Sequence, residues 1–209
     1  MTRRRKSSRR WDSSVLSALA IITLVTGGSA EITQPADMRL DAFRQHCLPT
    51  RLDPALTLSG FEGAGWTVVT EAAHPELPAL LELDRAQALA AEATGETVIL
   101  RKGALFATVN QLTAEITEDE AARYATCAVW DLDADAAIPD DQISTWTGVS
   151  PRVRLDAPGV GRIVQWDLSG LPGAGNLQAS CFPEGSPAIA RTGFTGAAIF
   201  LTSDLDATP

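Results

Sequence analysis

The first thirty residues decide where, and under what redox chemistry, the rest of the chain folds. Met1–Ala30 opens on a basic head of Arg3, Arg4, Arg5, Lys6, Arg9 and Arg10. An apolar run from Val15 to Val25 follows, and then the small residues Gly27-Gly28-Ser29-Ala30. That is the layout of a secretory signal peptide: the head stays on the cytoplasmic side, the apolar run enters the translocon, and small side chains fit the cleavage site. The run spans 11 residues, whereas crossing about 30 Å of hydrocarbon takes roughly 20. The expectation is cleavage after Ala30, no membrane anchor in the mature chain, and a single domain over residues 31–209 in the bacterial periplasm or beyond it. Ser8-Arg9-Arg10-Trp11 also fits the start of a twin-arginine signal, but Asp12 stands where that signal takes an apolar residue, so the export route stays open. The first cysteine, Cys47, lies too far on to be a lipid attachment point after the apolar run.

Removing that segment changes the electrostatic character of the chain. The whole sequence has 17 basic and 26 acidic residues. The first thirty hold six of the basic residues and one of the acids, so residues 31–209 carry a net charge of −14. A body of that sign repels nucleic-acid phosphates and anionic lipid surfaces, which leaves an envelope protein or a small ligand as the partner.

Export also changes how the three cysteines read. In an oxidising compartment Cys47, Cys127 and Cys181 allow three different single disulfides with one thiol left over. Ala36, Leu40, Phe43 and Cys47 share one helical face, between the start at Thr33 and Pro35 and the stop at Pro49. Cys127 opens the apolar strand Cys-Ala-Val-Trp130. A helix-to-sheet bridge between Cys47 and Cys127 is therefore expected, the alternative being three buried thiols.

Further along, Asp53-Pro54 begins a short helical turn through Leu56 and Leu58, and Trp66-Thr-Val-Val-Thr70 reads as a strand. A longer helix follows Pro75, with Leu77, Leu80, Leu81 and Leu89 on its buried side and Gly95 as its stop. Residues 97–101, 105–109, 125–130, 162–166, 176–181 and 197–202 are short β-branched or aromatic runs between turn residues, with a helix expected over 140–146. The tail beyond Ser203 is acidic and expected to fray. The fold class is α+β: an antiparallel sheet of about five to six short strands, with the N-terminal helices packed on one face.

Motifs that announce a particular chemistry are scarce. No Gly-Lys-Ser/Thr triplet or Gly-x-Ser-x-Gly elbow occurs, and Gly170-Leu-Pro-Gly173-Ala-Gly175 precedes a strand, where a dinucleotide site needs a helix. The only histidines, His46 and His74, show no metal-ligand spacing. Asp131, Asp133 and Asp135 alternate as in a calcium loop, but Ala136 stands where glycine belongs and Gln142 where a bidentate glutamate does. A weak calcium site or a solvated acidic loop both follow from that pattern, and no other cofactor is implied. In the C-terminal half Arg152, Arg154 and Arg162 with Trp146 and Trp166 form the candidate ligand-binding set, since guanidinium and indole together grip anionic or sugar-like groups.

Phe43-Arg-Gln-His-Cys47, Gly65-Trp66, His74-Pro75-Glu76-Leu77, Cys127-Ala-Val-Trp-Asp131, Trp146-Thr-Gly148 and Pro151 give the chain a diffuse outline that resembles small exported proteins of alphaproteobacteria. The resemblance implies export and a single domain, and brings no activity or site residues with it. These readings converge on a non-catalytic binding or interaction module. The alternative is a small envelope hydrolase working with paired carboxylates, which the abundant acids could supply without the sequence marking any pair.

Overall fold

A computed structural model describes residues 36–117, 120–171 and 173–206. Met1–Ala30, read above as a signal peptide, lies outside the described residues.

The chain begins with two helices, α1 (Met38–His46) and α2 (Pro54–Gly63). Each is started by an aspartate that accepts hydrogen bonds from first-turn amides: Asp37 from Arg39 and Leu40, Asp53 from Leu56. The short strand β1 (Thr67–Val69) and a 3₁₀ turn (Glu71–Ala73) lead to α3 (Leu77–Ala90). Three long strands follow, β2 (Ala93–Lys102), β3 (Leu105–Thr117) and β4 (Glu120–Asp131). Helix α4 (Asp140–Thr147) precedes β5 (Val153–Ala157), β6 (Gly161–Asp167) and β7 (Ala174–Phe182). The single turn α5 (Ile189–Thr192) leads into β8 (Gly196–Asp204).

All eight strands form one antiparallel sheet in the order β1-β2-β3-β4-β8-β7-β6-β5. Two four-stranded meanders thus meet along β4 and β8. The expected count of five to six strands is too low. The Lys102-Gly103 turn closes a hairpin of β2 and β3, whose strands run well past the apolar runs that mark them, because the outer stem 111–117 alternates polar and apolar residues instead of clustering them. Strand β5 is hidden in the sequence for a related reason: it is an edge strand, among the described residues it pairs with β6 alone, and Arg154 and Asp156 make it read as a loop.

The expectation that the helices pack on one face also fails. Leu40 and Phe43 of α1, Phe61 of α2 and Ile143 of α4 pack with Leu100, Val109, Cys127, Val129, Trp166 and Ile199 on one side of the sheet. On the other side Leu77, Leu80 and Leu81 of α3 pack with Ile99, Phe106, Ala128, Trp130 and Ala198. Alternate residues of a strand point to opposite faces, so the unbroken run Cys127-Ala-Val-Trp130 was the mark of a strand covered twice. Leu89, expected on the buried side of α3, is exposed. Gly95 is no helix stop but part of β2, where an added Cβ would lie 1.9 Å from the Gln111 carbonyl oxygen.

Cys47 and Cys127 are joined by a disulfide that ties the end of α1 to the middle of β4, and Cys181 is a buried free thiol. At the C-terminus Arg123 holds the Asp206 carboxylate with its backbone amide and its guanidinium. Among the described residues no helix is long and apolar enough to cross a membrane.

Candidate functional site

The arginines and tryptophans marked by sequence do not gather into one site. Trp166 is fully buried beneath α4, and its Nε1 donates to the Ser144 hydroxyl at 3.0 Å. Trp146 is half-buried at the far side of the same helix, edge-on to Phe43 at 6.1 Å, with the Arg44 guanidinium 5.5 Å from its ring centre. Arg152 turns outward to Asp167. Only Arg154 and Arg162 converge, from neighbouring strands onto the Asp140 carboxylate at 2.6 and 2.5 Å, with Asp156 3.9 Å from Arg162.

Two acids neutralise two cations there, so the cluster presents no surplus charge to an anionic ligand. Its evident work is mechanical: Asp140, buried at the first turn of α4, pins that helix to β5 and β6. Replacing Asp140 by Asn is expected to cost about 2–3 kcal/mol. That is less than the loss of a fully buried partner, because Arg162 and Arg154 are partly solvated. Arg154→Ala is expected to cost under about 1 kcal/mol. Urea unfolding of the two variants checks this, and equal losses would refute the anchoring role.

The acidic loop after β4 spreads its carboxylates apart. Asp131 is half-buried at the strand end, Asp133 is exposed 3.6 Å from His74 Nε2, and Asp135 is exposed. Among the described residues no three His, Cys, Asp or Glu side chains are placed to hold a metal ion. What organises the loop is Arg39, which donates to the Ala136 carbonyl at 2.8 Å while pairing with Asp37. Burial alone would raise the Asp37 carboxyl. The hydrogen bond and charge of Arg39 and two helix amides outweigh it, so the group sits below the usual carboxylate range. Burial pushes the nearby Cys181 thiol up, against the pull of Arg39 and Arg162.

Asp84 on α3 is the one carboxyl among the described residues that is clearly shifted upward, and burial is the whole cause. A catalytic carboxylate pair raises one member through the charge of the other; no second acid contributes at Asp84.

The feature best suited to contact another molecule is the outer edge of β2. Strand β1 pairs with it only through Thr67↔Arg101, Val68↔Leu100 and Val69↔Ile99, and the chain then turns away at Thr70 into the 3₁₀ turn. Among the described residues nothing pairs with the outer side of Ala93–Val98, and Thr94, Gly95, Glu96 and Thr97 are exposed. The vacated lane is flanked on both faces of the sheet. On the α2 side a groove of about 440 Å³ is walled by Pro54, Leu58, Val98 and Val109 and holds Glu96. On the α3 side a groove of about 660 Å³ is walled by Val69, Leu81 and Ile99 and holds Glu71 and Arg85. Gly95 and Val98 line both.

No protein-family model, curated protein or solved structure in the comparisons matches this chain. The edge is hidden in the sequence because Gly95 reads as the stop of the preceding helix. The signal was present in Thr94-Gly-Glu-Thr-Val-Ile-Leu100, where β-branched residues begin before the apolar run.

Proposed function

We propose that this chain is an exported binding module of the bacterial envelope, without catalysis of its own, that captures an extended segment of a partner protein along the outer edge of β2. The observation that carries this reading is the half-empty lane beside Ala93–Val98 with a groove on each face. Unpaired backbone amides and carbonyls on a sheet edge are a template for one more strand. When a strand is added, main-chain hydrogen bonds provide affinity and pockets for alternate side chains provide choice. The opposite edge is a poorer template, because β5 is only five residues long and Arg154 and Asp156 engage in ion pairs beside it.

The test uses the protein recovered from the envelope fraction, expected to begin at Glu31 with one disulfide. Amide hydrogen exchange is followed while capped five-residue peptides of alternating valine with lysine, threonine or glutamate are added. Slowed exchange at Thr94–Val98 with at least one peptide supports strand capture. No slowing with any of the three at millimolar concentration rejects it, and recovery from the cytosol with Met1 retained and all sulfurs reduced rejects the location.

A further inference from the structure

Building on strand capture at the β2 edge, we infer that the captured segment alternates basic and aliphatic residues, with Lys or Arg side chains entering the α2-side groove and aliphatic ones the α3-side groove. The two grooves differ in charge. Among the described residues Glu96 is the single charged one lining the α2-side groove, and it makes no ion pair there. In the α3-side groove Glu71 and Arg85 neutralise each other at 2.8 Å. An unopposed carboxylate thus lies on one side of the lane, and a charge-balanced apolar wall of Val69, Leu81 and Ile99 on the other.

A strand presents alternate side chains to opposite faces. A chain lying in this lane therefore offers every second residue to Glu96 and the residues between to Leu81 and Ile99. A lysine suits the first groove twice: its methylene stem lies along Leu58, Pro54 and Val98 while its ammonium reaches the carboxylate. Aliphatic side chains suit the second, which among the described residues offers no unpaired charge. The field of the whole molecule points the same way, since residues 31–209 carry a net charge of −14.

The same charges argue against a second copy of this chain as the occupant. Two-fold pairing of β2 with another β2 would place both Glu96 side chains on one face of the joined sheet, within a few residues of each other, between two acidic bodies. Like charges so placed destabilise a strand pair.

The experiment measures affinity of the intact protein for the three capped peptides, and for a lysine–valine peptide whose backbone is N-methylated at alternate residues. The lysine–valine peptide is expected to bind at least about tenfold more tightly than threonine–valine, with glutamate–valine weakest and N-methylation abolishing binding. Glu96→Lys, at an exposed position, is expected to leave the unfolding midpoint unchanged and to reverse the order of the lysine and glutamate peptides. Equal affinity for all three peptides, with slowed exchange at Thr94–Val98, would overturn this side-chain assignment and leave strand capture standing. Slowed exchange with none would remove both. Lysine–valine binding that survives N-methylation would mean diffuse attraction to an acidic surface and overturn the proposal. A stable dimer of the chain alone that protects Thr94–Val98 would assign the lane to a second copy and overturn it as well.

Discussion

Breaking the Cys47–Cys127 bond, by reduction or by replacing both residues with Ala, is expected to lower the stability of the chain by about 4–5 kcal/mol. The bond closes a loop of 80 residues, and the chain-entropy model assigns a loop of that length this order of destabilisation on release. Its position ties a helix to the centre of the sheet. Cys47 follows the last turn of α1 and is fully buried, and Cys127 sits on β4 at the centre of the sheet beside Val129 and Leu201. Released, α1 would be held by the packing of Leu40 and Phe43, the contacts of Arg44 with Trp146 and of His46 with Phe61, and the Arg39 bond to the Ala136 carbonyl. The comparison that isolates the bond is Cys181→Ala, which removes a buried thiol without opening a loop and is expected to cost about 1 kcal/mol. Urea midpoints of the oxidised, reduced and substituted proteins decide it. A loss below about 1 kcal/mol on reduction would mean that the bond closes a loop the fold already holds shut.

Why this bridge was legible and much of the sheet was not comes down to what each feature asks of its residues. A helix buries a face, and Leu40, Phe43 and Cys47 share one, so the direction of the Cys47 side chain followed from spacing alone. The starts of α2 and α4 were legible for an equally local reason: Asp53-Pro54 and Asp140-Asp141 suit first turns wherever the rest of the chain goes, whereas α1 starts at its Asp37 cap, later than Thr33 and Pro35 imply. The strands missed, or cut short, are those whose partners are distant or few. Residues 111–115 and 153–157 are held by ladders to neighbours and bury little apolar surface, so no cluster of hydrophobic residues marks them. The second helical layer is not legible because α3, early in the chain, reads as one more member of an N-terminal cluster. It is in fact the connection from β1 to β2, and it crosses to the opposite face. The open lane is a consequence of that crossing: the chain leaves the sheet edge at Thr70 to reach α3 before β2 has been paired along its whole length.

The members of the candidate ligand set lie apart for a different reason, since composition does not say which tryptophan is inside. Trp166→Ala is expected to destabilise the protein by about 3–5 kcal/mol, in the range for emptying a large aromatic from a core. The side chain is fully buried among Val164, Leu177 and Ile143, and its one polar atom is satisfied by Ser144. Trp166→Phe retains most of the volume and leaves the Ser144 hydroxyl without its indole donor, so about 1–2 kcal/mol is expected there. Trp146→Ala should cost less than Trp166→Ala, about 1–2 kcal/mol, because that ring is half-buried at the margin of the core, where it meets Phe43 edge-on and the exposed Arg44 guanidinium. Unfolding midpoints of the three variants rank the two rings. If Trp166→Ala folds with undiminished stability and instead loses affinity for a ligand, the indole faces a site and not a core, and the packing of α4 on β6 is other than described. Position along the strand favours the core: Val164 and Trp166 both point under α4, while Gln165 between them points to the opposite face and pairs with Gln178 at 2.7 Å. One face of β6 is therefore committed to packing, and the ring that first looked like a gripping surface is what the helix rests on.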